Sequence, residues 1–571
     1  MAATPSALQR FITVAQPYWR GDRRAWAWAF LAGLVLLMLA DTQLAVRLNT
    51  QTGELTSALA ARDADRFWAA VRQMLQVLGL AVPVFALYYY ARDAYANDWR
   101  RWLTQRYLDG YLRERRYFHL ASDVIDNPDQ RIAEDVNTFT GRSLHFLLIL
   151  LGSLMQLVAF SAVLWGLSHT LVGFLVAYAV AGTVLSLGLF GRPLIRLNHW
   201  QLKREADLRF RLMRVRENAE SIAFYGGEAQ ERHQLQQRLR ATLLNTQRLI
   251  RAQFGLNLFQ RGFSQLSLLV PSVVLAHDVL SGRLEVGQAV QAGGAFAAVL
   301  GAISLIVDNF ESLSRFVAGI DRLHDLAQVL ESPPATPGIA REAGHDLHLQ
   351  NLTVQAPDSD RVLVEKLNLS VPEGGSLLIT GASGCGKSSL LRAIAGLWTQ
   401  GSGQVSHPPR EQVFFLPQRP YLQSGSLRSQ LIYPSTQTAL DDAALLRILD
   451  EVQLRHLAEA DGGLDRSRDW EKVLSGGEQQ RLAFARLLVH APRLAILDEA
   501  TSALDDANQQ RLYERLRARG TTLISIAHRA AVAGFHKQVL QLTGGGRWRL
   551  ARTTPAAHTP PPAPSPTAPP R

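Results

Sequence analysis

The chain has 571 residues, 47% hydrophobic and 19% charged, with a formal net charge of +11. That length excludes a single hydrophobic core, and the balance is too apolar for a soluble chain and too charged for one wholly in lipid. The excess of Lys and Arg fits either nucleic-acid binding or a membrane protein with basic cytosolic loops, and its distribution decides between them. One cysteine, Cys385, excludes an intrachain disulfide and any zinc cluster built on Cys. Residues 1–24 lack a short apolar core followed by a small-residue cleavage site, so no removable signal peptide is expected.

A bilayer core takes roughly 20 apolar helical residues. Runs without Lys, Arg, Asp or Glu occupy 25–40, 73–90, 146–170, 171–190 and 286–307. A sixth run, 262–280, follows Arg261 and contains Asp278. Ser168, His169 and Thr170 form the break between the third and fourth runs, which suits a tight outer turn. Six spans place three basic groups on one face: Arg10 to Arg24, Arg100 to Arg116 and Lys203 to Arg216. The positive-inside rule makes that face cytosolic, which accounts for the net charge without nucleic acid.

Two long cytosolic stretches, 91–144 and 191–254, separate the spans. In the second, Leu208, Leu212, Val215, Ala219 and Ile222 recur at spacings of four and three and predict a packed helical stripe. Charged residues in or beside the spans are candidates for a water-filled pathway, because charge facing lipid is costly. Asp41, Arg261, Asp278 and Asp308 are those candidates, the alternative being that each sits at a span end in the interface.

The run ESPPATPG at 331–338 is a poor helix and marks a boundary. The expected division is a membrane domain of six spans over 1–330, a linker over 331–344 and an α/β domain over 345–551. Short strand-like runs such as 376–380 and 493–497 alternate with helical patterns there, predicting a largely parallel sheet. Residues 552–571 form a Pro-rich tail whose composition predicts disorder.

Gly381-Ala-Ser-Gly-Cys-Gly-Lys387-Ser388 matches the P-loop pattern between a strand-like run and an apolar helical one. In such a loop the backbone around Gly381, Ser383, Gly384, Cys385 and Gly386 curls about phosphates, followed by Lys387, Ser388 and Ser389 at a helix N-terminus. Lys387 is expected to reach the β- and γ-phosphates of ATP and Ser388 to ligate Mg²⁺. Cys385 needs only to be small. At 494–499 an apolar strand ends in Asp498 and Glu499, fit for the Mg²⁺ shell and for activating water, although two acids after a strand also fit a surface turn.

Between these lies Leu474-Ser475-Gly476-Gly477-Glu478-Gln479-Gln480-Arg481, which resembles the signature of the ABC ATPase family. Gln418 is similar to the Q-loop glutamine, also a Mg²⁺ contact; the 502–505 run ending in Asp505 is similar to the D-loop, and His528 to the switch histidine. The resemblance implies that Ser475, Gly476, Gly477 and Glu478 contact ATP held by another domain. A chain with one site of each kind therefore works as a homodimer, or as a heterodimer with an unseen partner. It departs from the family at 351–363, which contains no aromatic residue to stack on adenine. Adenine is then expected to rest on aliphatic contacts around Val362.

Fusion of six spans to this head resembles exporter-type ABC transporters. Ile125 to Val136 with Asn127-Pro128-Asp129-Gln130-Arg131, Glu220 to Glu228 with Phe224-Tyr225, Trp470 with Val473, and Phe415 to Leu422 are more particular. Together they resemble the YddA and SbmA/BacA-like branch, related to peroxisomal fatty-acyl transporters and to the mycobacterial cobalamin importer. The resemblance implies ATP-driven transport across a bacterial inner membrane, with uptake of a hydrophilic solute such as a peptide or cobalamin preferred. Export of a peptide, lipid or drug is the runner-up. ABC heads that act on DNA lack six spans, and a head that regulates a channel is the other class of alternative.

Overall fold

The computed structural model describes residues 6–120, 125, 127–308, 310–332, 338–356, 361–459, 462–527 and 530–552. The chain forms two compact units, Met1–Pro333 and Pro334–Arg571.

The first unit is helical among its described residues. Helix α1 (Ala7–Arg20) starts at a capping box in which Ser6 and Gln9 satisfy each other's backbone N–H groups. Then come α2 (Arg24–Ala61), α3 (Ala64–Leu112), α4 (Val136–Leu167), α5 (His169–Ser186), α6 (Arg192–Glu217), α7 (Glu228–Leu280), α8 (Val286–Asp308) and α9 (Phe310–Glu331). Among the described residues six helical segments are long and apolar enough to cross a membrane, and each overlaps one of the expected runs. The third ends at Leu167 instead of Thr170: Ser168 turns extended, and its hydroxyl accepts from the Leu171 N–H at 3.3 Å to cap α5. Beyond the spans, α3, α6 and α7 continue as long polar helices.

Two apolar clusters hold this unit. One gathers Tyr18, Tyr95, Trp99, Phe139 and Leu323; the other gathers Leu164, Leu171, Leu275 and Phe296. At one end of α2, Arg66 bridges Glu54 at 3.0 Å and Glu285 at 2.9 Å, joining α2, α3 and the start of α8.

Of the predicted stripe on α6, Leu208 and Val215 are half-buried. No residue of α6 is fully buried, and Leu212 is 51% exposed. The face that meets α7 also carries polar contacts. Arg204 donates to the Ala241 carbonyl at 2.7 Å, Asn245 donates to Gln201 at 2.9 Å, and Arg211 pairs with Glu231 at 3.0 Å. Long polar side chains satisfy one another across the pair beside Leu208 and Val215, while Phe210, Leu212 and Met213 stay exposed within this chain.

The second unit is α/β. Strands β1 (Ala340–Ala343), β2 (Leu347–Gln355), β3 (Val362–Val371) and β5 (Gly401–His407) form a sheet in the order β1-β5-β2-β3. A six-stranded sheet runs β10-β9-β4-β8-β7-β6, from β4 (Ser376–Gly381), β6 (Val413–Leu416), β7 (Leu494–Asp498), β8 (Thr522–Ile526), β9 (Gln538–Gly544) and β10 (Arg547–Arg552). Within it β9, β4, β8, β7 and β6 pair in parallel, so their carboxyl ends share one edge. Helices α10 (Lys387–Ala395), α11 (Gly476–His490) and α12 (Asp506–Ala518) complete the parts that bear on the site. The strands β4, β7 and β8 are nearly continuous apolar runs, as burial on both faces demands.

Candidate nucleotide site

The parallel edge gathers the sequence motifs. In open α/β sheets ligands bind outside the carboxyl ends of the strands. Gly381 ends β4, Asp498 ends β7, and Gln418 follows β6 by two residues. His528 follows β8 and lies outside the described residues.

The loop after β4 enters α10 through Gly386, at φ 102°, a conformation that only glycine adopts without strain. A Cβ at Gly386 would stand 3.0 Å from the Leu363 Cβ, so β3 presses directly on the loop. Gly384, at φ 76°, has open space on that side. The Lys387 ammonium donates to the Gly381 and Ala382 carbonyls at 2.8 and 2.9 Å and so lies across the mouth of the loop. Ser383 and Gly384 are exposed, Ser388 and Ser389 half-buried, and Cys385 is buried in the apolar cluster under the loop.

Burial raises the pKa of the Asp498 carboxyl, and the hydrogen bond from Ser388 opposes that rise; Glu499, Arg392 and Lys387 act with smaller effect. Glu499 stands at φ 48°, strained for a residue with a side chain. Its N–H is held by the Ile526 carbonyl at 3.1 Å, and its carboxylate accepts from the Gln418 amide at 3.0 Å. Loops after β4, β6 and β7 thus bring Lys387, Ser388, Gln418, Asp498 and Glu499 to one edge.

The signature turn begins at Ser475, the N-cap of α11, with Glu478 closing a capping box. The Ser475 hydroxyl and N–H hold the Glu478 carboxyl below its ordinary pKa. Ser475 and Gly476 are exposed, and Gly477 and Glu478 half-buried. Asp505 caps α12 and accepts from the Asn508 N–H at 2.7 Å, which lowers its pKa.

Two models of protein families match the chain: ABC transporter transmembrane region 2 over residues 21–280, and ABC transporter over 364–502. An uncharacterized ABC transporter ATP-binding protein of Synechocystis, sll0182, is 44% identical over 92% of this chain and 81% of its own length. The chain belongs to the ABC transporter family. The human lysosomal cobalamin transporter ABCD4 is 32% identical to this transporter, over 95% of this chain and 96% of its own. The Escherichia coli inner membrane ABC transporter ATP-binding protein YddA is 27% identical, over 92% and 96%. This ABC transporter is therefore an ATP-binding, ATPase-coupled translocase, multi-pass in the inner (cell) membrane, with its ATPase domain cytosolic and its membrane region acting on a solute.

The four charged cavity candidates are scattered through the membrane unit of the transporter. Asp41 lies half-buried on α2 and Arg261 exposed on α7. Asp278 pairs with Arg283 at 3.0 Å in the turn between α7 and α8, and Asp308 ends α8. Of two clefts among the described residues of that unit, neither is lined by any of the four. One, of about 500 Å³, has Arg92, Asn137, Arg142 and His145 on α3 and α4. The other, of about 300 Å³, lies among α5, α7 and α8 and is lined by Thr183, Ser186, Gln260, Phe263, Ser264 and Ser267.

Sequence reasoning missed that second cleft. Its residues at 179, 182, 183 and 186 and at 260, 263, 264 and 267 share the same helical spacing, a signal that a search for charges passes over. It missed Arg486 as well. That guanidinium is buried, donates to the Tyr421 and Gln430 carbonyls at 2.7 Å each, and is pushed down to about 10 by burial, opposed by Tyr433 and Tyr421. It fixes the segment that follows Gln418.

Proposed function

We propose that the transporter takes up a hydrophilic solute, of the peptide or cobalamin class, as a homodimer that hydrolyses ATP at two composite sites. The observation that carries the ATPase half is the Gln418–Glu499 contact of 3.0 Å beside the Ser388–Asp498 pair and the Lys387 loop. In this reading the backbone from Gly381 to Gly386, with Ser383, Cys385 and Ser389, cradles the phosphates, and Lys387 exchanges its loop carbonyls for phosphate oxygens.

The oxygens of Ser388, Asp498 and Gln418 form a hard donor set that fits Mg²⁺, which when bound would neutralise phosphate charge. Glu499 takes the proton of the attacking water, with the Gln418 amide fixing its carboxylate. His528 steadies the γ-phosphate. Val362 and Leu363 supply an aliphatic seat for adenine; Leu363 reaches the loop at Gly386.

Ser475, Gly476, Gly477 and Glu478 face the second copy's ATP, and Asp505 lies in the segment between the sites. The exposed side of α6 supports a second copy, since Phe210 is 63% exposed well beyond the apolar run 171–190. Phe224 and Tyr225 are more exposed still, and they support the reading of 220–228 as a docking segment for an ATPase domain. The segment 127–135 has a role within its own unit: Asp135 pairs with Arg322 of α9 at 2.6 Å, and Arg131 donates to the Arg322 carbonyl.

The name of the human relative supports cobalamin as a solute class. ATP-dependent flux in sealed vesicles of known orientation tests the reading, with labelled cobalamin, a hydrophilic peptide and a fatty acyl-CoA side by side. Movement toward the ATPase face is expected for cobalamin or the peptide. Movement away from it, or of the acyl-CoA alone, overturns uptake.

A further inference from the structure

Gln480, in the first turn of α11, is 5% exposed, and its side-chain amide is spent on two other loops. Its Oε1 accepts from the Ala503 N–H at 3.0 Å. Its Nε2 donates to the Ser502 hydroxyl at 3.1 Å and to the Gln418 main-chain carbonyl at 3.3 Å. The orientation is fixed, because the Ala503 N–H can only donate and the Gln418 carbonyl can only accept. Those two loops flank Glu499 on both sides. The Gln418 side chain reaches its carboxylate at 3.0 Å, and the Ser502 N–H binds its main-chain carbonyl at 3.1 Å.

The neighbours of Gln480 on α11 serve elsewhere. Glu478 closes the cap on Ser475, and Gln479 ties back to the Glu471 and Leu474 carbonyls at 3.0 Å each. Gln480 is therefore the side chain of this turn that joins the signature to the loops around Glu499.

We propose that Gln480 is a positioning residue that links the two ATP sites of the dimer. This rests on the proposed roles of Ser475, Gln418 and Glu499. Ser475 engages ATP of the second copy, whereas Gln418 and Glu499 act on the ATP of their own chain. A shift of α11 on meeting the far nucleotide is passed through one buried amide to the loops that hold the near carboxylate. Two sites coupled in this way hydrolyse cooperatively.

Gln480→Glu separates the two arms. Its carboxylate still accepts from Ala503 and from the Ser502 hydroxyl, but it cannot donate to the Gln418 carbonyl. Gln480→Met removes all three bonds at similar volume. The full-length transporter in lipid nanodiscs is assayed for ATPase rate against ATP concentration, for binding of a fluorescent ATP analogue and for Tm.

The wild type is expected to show a Hill coefficient approaching about 2, the number of sites. Gln480→Glu is expected to bring it to about 1, with kcat down about tenfold. ATP affinity is expected to stay within about threefold and Tm within about 2 °C. Gln480→Met should lose more kcat at the same affinity.

A non-cooperative wild type overturns the link. So does Gln480→Glu with unchanged kcat and Hill coefficient, or a loss of rate matched by equal losses of affinity and Tm. If neither Gln480 variant folds, Ser502→Ala, which removes one of the three partners, must lower the Hill coefficient, and an unchanged coefficient overturns the link. Normal turnover of Glu499→Gln in parallel refutes the site reading itself and is thereby distinguished from failure of the link.

Discussion

Replacing Gly386 by Ala is the sharpest probe of the nucleotide loop, because two separate costs meet there. At φ 102° a residue with a Cβ pays for a backbone conformation normally left to glycine, of the order of 1–3 kcal/mol. The new methyl also stands 3.0 Å from the Leu363 Cβ, the rigid stem of a strand residue with no flexible end to give way. Overpacking of that kind costs a further 1–3 kcal/mol, roughly. Gly384→Ala is the matched control, since its φ of 76° carries a conformational cost while its Cβ meets nothing within 4 Å. The difference between the two variants isolates the steric part, about 5- to 150-fold in affinity. Binding of a fluorescent ATP analogue to the full-length transporter reads it directly. Equal losses in the two variants, or a silent Gly386→Ala, would refute the argument that β3 presses on the loop.

Glu499→Gln keeps the contact with Gln418 available while removing the base, so ATP binding is expected to survive and turnover to fall about 10²–10⁴-fold in a phosphate-release assay. Burial raises the Asp498 pKa, so the folded domain holds this carboxyl protonated to higher pH than the unfolded chain does. The ionised form therefore costs stability as pH rises above its ordinary value of 3.8. Asp498→Asn is expected to raise Tm near neutral pH, to lose that advantage as pH falls toward the ordinary value, and to cut ATPase rate about a hundredfold or more. Scanning calorimetry between pH 4 and 8, roughly, checks the sign. In the membrane unit, Arg322→Ala leaves Asp135, whose side chain is only 9% exposed, without its ion pair. Because Arg322 is itself half exposed, the expected loss is about 1–3 kcal/mol in detergent-solubilised protein, and Arg322→Ala with Asp135→Ala should recover part of it.

The order of the nucleotide motifs was fully legible in the primary structure, because a P-loop, an acidic strand end and a capped helix start are local patterns. Each needs only its own residues and the strand or helix beside it. The six spans were legible for a similar reason: a bilayer demands about 20 apolar residues in a row. Residues whose role is to join distant segments left no such trace. Gln480 reads as one more polar residue in a helix, and only the fold brings it to the Gln418 carbonyl and Ser502. Arg486 likewise reads as a surface charge until its guanidinium is seen spent on two carbonyls.

Charges in the spans point away from the cleft among α5, α7 and α8, whose walls are hydroxyls, an amide, two phenyl rings and aliphatic side chains. On α6 the apolar stripe holds in part, with Leu208 and Val215 half-buried and Leu212 exposed, and polar side chains share the contact with α7. Taken by itself, then, the sequence determined the motifs of an ATP-binding head and six segments apolar enough to cross a membrane, since both are written in neighbouring residues. Tertiary structure alone decided which loops share an edge, which face of a helix is covered and which amide joins the signature turn to the loops beside Glu499. Those outcomes depend on distances between residues 22 to 81 positions apart, and hydrogen-bonding groups buried together must satisfy one another wherever they stand in the chain.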